Sequence, residues 1–171
     1  MHDREGLHSI TVSPSTARLE AIHISRGGVP KLGVFEALIA HDGLDGDFQN
    51  DTRHHGGPDR AVVLYSLDLI RALQAEGHPI APGTTGENLT LSGLHWESLT
   101  PGTTLLVGAV ELRLTKYADP CRNISHSFLA SDFMRISQNT RPGWSRVCAR
   151  VLTGGLVRPG DPVLVKPDEA D

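Results

Sequence analysis

Short apolar segments separated by glycine and proline run along the whole chain. Runs rich in β-branched residues, or alternating between apolar and polar positions, are typical of strands that end in tight turns. The 18 glycines and 11 prolines are spread along the sequence, as expected for many turns. The predicted strands are Leu19–Ser25, Val34–Ala40, Ala61–Tyr65, Thr104–Val107, Val110–Lys116, Val147–Val151 and Val163–Val165.

Two helices interrupt this β pattern. Ser66 is a suitable N-cap, and Leu69, Ile70 and Leu73 recur at helical spacing before Gly77, which can end the helix. A second, short helix is predicted over Ser131–Asn139 from its apolar residues.

The chain length of 171 residues suits one domain with a core of its own. We predict an N-terminal extension over residues 1–18, a single domain over 19–166 and a frayed tail over 167–171. The fold class is mostly β, a closed or nearly closed β-barrel with a few short helices, because closure removes exposed strand edges.

Composition and charge exclude several classes of protein. The net charge is −4 and there is no basic cluster, which argues against nucleic-acid binding. No apolar run approaches the roughly 20 residues of a membrane helix, and residues 1–20 do not resemble a signal peptide. The expected location is therefore the cytoplasm, with no membrane partner.

The densest polar motif is the pair of segments Gly43–Asp47 and His54–Arg60. Glycines after the histidine pair let backbone N–H groups approach a ligand, and a histidine and an arginine add donors suited to an anion. An ordinary turn before the next strand explains the same residues, and local sequence favours that simpler interpretation. Zinc is not expected, since adjacent histidines on extended chain point to opposite faces.

The turn Gly86-Glu87-Asn88 offers a similar choice. Glu87 or Asn88 could bond a ligand, but satisfying loop backbone groups is the simpler role for each.

The two cysteines lie in different surroundings. Cys121 follows a predicted strand in a polar stretch, with Lys116 and Arg122 near it in sequence, and cations favour the reactive thiolate form. Cys148 lies between Val147 and Ala149 in an alternating strand, which is typical of a core residue. Cys121 is therefore the predicted reactive thiol, and a disulfide is not expected.

Six motifs in order resemble the MOSC family, named for the C-terminal domain of molybdenum cofactor sulfurase. They span roughly residues 20–165, and the similarity is greatest to stand-alone bacterial members like the hydroxylaminopurine-reducing protein. The motifs are Gly28-Val29-Pro30-Lys31, Gly43–Asp47, His55–Val62, Gly86–Leu89, Pro120-Cys121, and Pro142-Gly143-Trp144 continuing through Ala149-Arg150-Val151 to Gly160–Val163.

The resemblance implies a β-rich fold related to the pyruvate-kinase barrel domain, and binding of molybdenum cofactor of the molybdopterin type. It implies that Cys121 ligates molybdenum and is the catalytic residue. The cofactor-binding residues that it implies are Lys31, His55, Gly56, Gly57, Arg60, Arg122 and Asn123. The family's loose association with pyridoxal phosphate is attributed to a separate sulfurase domain.

The resemblance favours a molybdenum-dependent oxidoreductase that reduces N-hydroxylated small molecules. The chain contains no flavin, nicotinamide or iron–sulfur motif, so electrons are expected from a partner reductase protein. The alternative is a non-catalytic module that carries the cofactor, or a persulfide on Cys121.

Overall fold

The computed structural model describes residues 16–48 and 57–168. Within them there are eleven strands, one α-helix and five short 3-10 helices. The strands are β1 (Arg18–Ile24), β2 (Leu32–Val34), β3 (Ala37–Ala40), β4 (Gly43–Leu44), β5 (Val62–Ser66), β6 (Leu89–Ser92), β7 (Thr104–Val107), β8 (Val110–Ala118), β9 (Arg146–Thr153), β10 (Gly155–Val157) and β11 (Val163–Val165). The helices are α1 (Leu67–Ala75) and the 3-10 segments Pro58–Arg60, Trp96–Ser98, Arg122–Ser127, Leu129–Ser131 and Phe133–Ile136.

Eight strands form one sheet in the order β11-β7-β8-β9-β5-β6-β1-β2, and the order β10-β3-β4 forms a second sheet. All neighbours are antiparallel except β5 and β6. Parallel neighbours need a crossover connection, and α1 lies in it. The Ser66 hydroxyl oxygen accepts a hydrogen bond from the Leu69 amide at 3.2 Å, which confirms the predicted N-cap.

The mostly-β prediction is confirmed, but paired strands do not run round a complete barrel. The start of β1 and the residue before β11 are joined only by an isolated bridge, between Arg18 and Pro162. Three backbone hydrogen bonds support it: Leu19 N–H to the Asp161 carbonyl (2.9 Å), Gly160 N–H to the Leu19 carbonyl (2.7 Å), and Val163 N–H to the Ala17 carbonyl (3.0 Å).

Two sequence predictions differ from the structure. The predicted strand Val34–Ala40 is two strands, because β2 pairs with β1 while β3 joins the smaller sheet. The predicted helix Ser131–Asn139 is wrong. Ala130 and Ser131 have φ of +53° and +55°, so Ser131 cannot begin an α-helix, and only short 3-10 turns form.

The predicted N-terminal extension and tail lie largely outside the described residues. β1 begins at Arg18, one residue before the predicted start of the domain. No helix in residues 16–48 and 57–168 is both long enough and apolar enough to span a bilayer.

Residues Gly83–Asn88, which we call the buried loop, lead from the end of the α1 region into β6. Gly83, Thr85, Glu87 and Asn88 are buried, although the segment has no regular secondary structure. The Gly83 carbonyl accepts a hydrogen bond from the Lys31 amide at 2.9 Å. A Cβ atom on Gly83 would lie 2.5 Å from the Lys31 carbonyl oxygen and 2.8 Å from His23 Cδ2.

We therefore predict that Gly83→Ala destabilises the protein far more than Gly102→Ala. Both glycines have positive φ, +85° and +97°, but a Cβ on Gly102 meets nothing within 4 Å. Gly102→Ala should cost about 1–2 kcal/mol from backbone strain, and Gly83→Ala a further 1–3 kcal/mol or so from the clash. Urea unfolding of both variants measures the difference, and equal losses would contradict the packing described for Gly83.

Candidate functional site

Lys31 and Asp47 form a buried ion pair beside the buried loop. The Lys31 ammonium donates to Asp47 Oδ1 at 2.8 Å and to Oδ2 at 2.7 Å, and the two side chains are only 8% and 6% exposed. Asp47 Oδ1 also accepts the Ser25 amide at 2.9 Å. A buried charge is stable only when it is paired and hydrogen-bonded, and this pair meets both conditions.

Asn88 connects this ion pair to the sheet. Its amide nitrogen donates to Asp47 Oδ2 at 2.9 Å and to the His23 carbonyl at 3.2 Å, while its Oδ1 accepts the Val63 amide at 2.9 Å. Asn88 does satisfy backbone groups, but they belong to β1 and β5 and not, as the sequence had suggested, to the loop.

His23 lies on β1 against Gly83. It is buried, and its Nδ1 has no hydrogen-bond partner among the described residues. Burial lowers the pKa of His23, because the imidazolium form loses hydration without gaining a partner. The ring is therefore neutral at physiological pH.

A second buried cluster is formed by Glu87, Thr85 and Arg146. The Glu87 carboxylate accepts hydrogen bonds from the Gly83 amide and the Thr85 hydroxyl, so it too satisfies loop groups. Burial raises the pKa of Glu87, while those two bonds and the charge of Arg146 act in the opposite direction. Arg146 reaches the same loop, donating from Nη1 to the Thr85 carbonyl at 2.5 Å.

Cys121 follows the end of β8, and Arg146 of this cluster donates to the carbonyl of Asp119 shortly before it. It is half-buried and unpaired with the other cysteine, and it precedes the 3-10 helix Arg122–Ser127. Its carbonyl accepts the Ile124 amide at 3.1 Å. The predicted location in a polar segment after a strand is confirmed.

Cys148 is buried in β9, as predicted for a core residue. Lys116, one of the cations expected to favour a Cys121 thiolate, pairs with Cys148 across the sheet. Burial raises the pKa of Cys148, and the charges of Arg146, Arg60 and Lys116 oppose that shift without cancelling it. Cations alone therefore do not make a thiol reactive here.

The structure describes only some of the remaining predicted cofactor residues. His55 and Gly56 lie outside the described residues. Gly57 has φ +82°, a conformation suited to glycine, and its carbonyl accepts the Arg60 amide at 3.0 Å. Arg122 and Asn123 are exposed at the start of the helix after Cys121.

Sequence reasoning missed two charged residues of the site. Asp47 was noticed only as part of a motif, and Arg146 received no role. The buried loop is bonded to Lys31 and, through Arg146, to the turn before Cys121. Among the residues that the structure describes, no three His, Cys, Asp or Glu side chains form a cluster able to hold a metal ion.

The segment after Cys121 is anchored to the end of α1 by Glu76. The Glu76 carboxylate accepts hydrogen bonds from Nε and Nη2 of Arg135, with the Nε bond at 2.9 Å. It also lies 3.3 Å from Nε2 of His78. Arg135 and Arg141 each stack on the Trp144 ring with their Cζ atoms 4.3 Å from its centroid. These contacts hold residues 122–144 in place without a second α-helix.

We expect Cys121 to be alkylated faster than Cys148 in the folded protein. Cys121 is half-buried, whereas Cys148 is 3% exposed and burial disfavours its thiolate. Timed iodoacetamide labelling with peptide mass spectrometry measures both rates. Faster labelling of Cys148 would reverse the assignment.

The unfolding free energy should fall on acidification partly because of His23. Below about pH 6.5 the unfolded chain binds a proton that the folded chain resists, so stability rises with pH up to this point. His23→Gln should flatten the slope just below about pH 6.5 by up to about 1.4 kcal/mol per pH unit. Denaturant titrations at several pH values test this, with the exposed His41→Gln as control. If the unfolding free energy of His23→Gln depends on pH as steeply as that of wild type, burial of His23 does not lower its pKa as described.

Comparison with known proteins gives related sequences and folds. The uncharacterized protein YflK of Bacillus subtilis is 26% identical over 148 residues, which cover 86% of this chain and 66% of YflK. YiiM of Escherichia coli is 30% identical over 114 residues, covering 64% of this chain and 51% of YiiM. The chain thus spans between half and two thirds of these relatives.

Solved structures of YiiM share the fold. The protein from Geobacillus stearothermophilus superposes with a TM-score of 0.71 at 21% identity, covering 88% of this chain and 75% of YiiM. The Escherichia coli structure gives 0.65 at 25% identity, covering 90% and 72%. The MOSC domain family matches residues 51–164, from just before the 3-10 helix Pro58–Arg60 into β11. The match covers most of the chain, including Cys121, the buried loop and Arg146, so this protein belongs to the MOSC domain family.

Proposed function

We propose that this protein binds a molybdenum cofactor through Cys121 and reduces N-hydroxylated small molecules with electrons from a partner reductase. The observation that carries the proposal is the position of Cys121. It is a half-buried thiol in the segment after β8, and the Asp119 carbonyl shortly before it accepts a hydrogen bond from the buried Arg146. A thiolate is the soft ligand that such a metal prefers. Association with the molybdenum cofactor is a general property of MOSC domains.

The surrounding residues fit an anionic cofactor in part. Arg146 carries a buried positive charge at the turn before Cys121, and its Nε has no partner among the described residues. Lys31 is beside the same loop, but Asp47 already binds its ammonium through both oxygens. Lys31 can therefore contact a phosphate only by sharing its protons with Asp47, and its role remains a prediction.

The reaction that we propose removes one oxygen from nitrogen. The N–O bond of the substrate breaks, two electrons and two protons are consumed, and the oxygen leaves as water while the amine or amidine remains. When bound, the cofactor supplies the two-electron chemistry. The protein holds the metal through Cys121, and the electrons come from the partner reductase.

Substitution of Cys121 tests the proposal. Protein from a host that makes the cofactor should contain molybdenum and pterin, measured by metal analysis and fluorescence. Cys121→Ser and Cys121→Ala should weaken binding of the metal by about tenfold or more, since even outer-shell changes cost that much in affinity, while some pterin binding remains. Cys148→Ala is the matched control and should retain the metal.

Activity is measured with an amidoxime or an N-hydroxylated base and reduced viologen as electron donor. Wild type and Cys148→Ala should turn over, both Cys121 variants should not, and NADH alone should support no reaction. Molybdenum content that is the same in wild type and Cys121→Ser would refute the ligand role. Intact mass showing added sulfur on Cys121, with no turnover with any donor, would instead establish the carrier function.

A further inference from the structure

We infer that Arg146 is a positioning residue for Cys121, because it ties the turn before this cysteine to the buried loop. The inference rests on the proposed role of Cys121 and extends it to a residue that does not touch the thiol. Three main-chain carbonyls from two separate segments accept hydrogen bonds from the one guanidinium group.

The first segment is the end of β8. The pairing of β8 with β9 stops at Ala118 opposite Arg146, so the carbonyls beyond this point lose their strand partners. Arg146 Nη2 donates to the Asp119 carbonyl at 3.2 Å and to the Ala118 carbonyl at 3.4 Å. Pro120 has no N–H group of its own to stabilise the turn. Just before Cys121, hydrogen bonds from the Arg146 guanidinium group therefore take the place of the backbone hydrogen bonds between β8 and β9.

The second segment is the buried loop. Arg146 Nη1 donates to the Thr85 carbonyl, and the Thr85 hydroxyl donates to Glu87. Thr85 thus links a buried cation to a buried carboxylate that it does not touch directly. The planar guanidinium presents several donors in fixed directions, which a lysine ammonium cannot do from one point.

A second tether acts on the other side of Cys121. Ser127, at the end of the following 3-10 helix, donates its hydroxyl to the Thr84 carbonyl at 3.4 Å. Cys121 therefore lies between two attachments to the same loop. The Arg146 attachment is the closer in sequence and is itself buried, with 7% of the residue exposed.

Differential labelling of the two cysteines tests the inference in the full chain without cofactor. Arg146→Gln should free the turn and raise the alkylation rate of Cys121 by about fivefold or more, the factor that one net hydrogen bond of about 1 kcal/mol represents. Cys148 lies on the same strand as Arg146 and reports any general opening of the sheet. Its rate should not rise above the wild-type value, because loss of the Arg146 charge disfavours its thiolate. Hydrogen exchange of the peptide 118–124 should increase in parallel.

Arg146→Lys keeps the charge but offers one point donor, so its Cys121 rate should lie between those of wild type and Arg146→Gln. Arg158→Gln removes an exposed arginine paired with exposed Glu36 and should leave both rates unchanged. A parallel rise of the Cys121 and Cys148 rates would mean general destabilisation and would overturn the inference, as would an unchanged Cys121 rate. If Arg146→Gln does not fold, the Arg146→Lys rates decide alone. Since no cofactor is present, these outcomes are independent of the molybdenum measurements.

Discussion

The buried loop has to satisfy its polar groups without water, and the rest of the site follows from how it does so. An unpaired buried polar group costs about 1–3 kcal/mol, so a non-regular segment in the interior needs a partner for nearly every donor and acceptor. The Gly83 amide has the Glu87 carboxylate, the Thr85 carbonyl has Arg146, and the Gly83 carbonyl has the Lys31 amide. Glu87 belongs to the loop itself, whereas Lys31 and Arg146 come from distant parts of the chain, so the loop fixes where those two parts meet.

The two buried cations that contact this loop, Lys31 and Arg146, have different kinds of partner. Lys31 has a direct carboxylate partner in Asp47, which in turn is bonded by Asn88. Arg146 has carbonyl partners and meets Glu87 only through Thr85. The first arrangement neutralises its cation by direct contact, whereas Arg146 acts on the Glu87 carboxylate only through space and through Thr85. In the proposed function, an anionic ligand would therefore meet Arg146 more readily than Lys31.

The sequence predicted the elements whose signals are local. The N-cap of Ser66, the alternation in β8 and the compact run of β7 lie within a few residues of each other, and each was found close to its observed bounds. The break between β2 and β3 depends on which sheet each strand joins, so the sequence around the break does not indicate it. Arg146 and Thr85 are 61 residues apart, and no pattern in either segment indicates that they meet. The contrast between the two cysteines was predicted correctly for burial, but the positions of the cations around them were not.

The crossover from β5 through α1 to the buried loop also has a consequence for how the protein acquires its structure. The loop is synthesised before β9, which supplies the guanidinium group that bonds the Thr85 carbonyl. Strand β5 needs the same β9 as its antiparallel neighbour. During synthesis, the Thr85 carbonyl therefore has no Arg146 partner until 61 further residues have been made. Until then, the nascent chain exposes unpaired strand edges, which make a partly folded chain prone to aggregation. Such non-local closure slows folding relative to helical proteins of equal size. The contact that ties the turn before Cys121 to the buried loop therefore cannot form before β9 has been made.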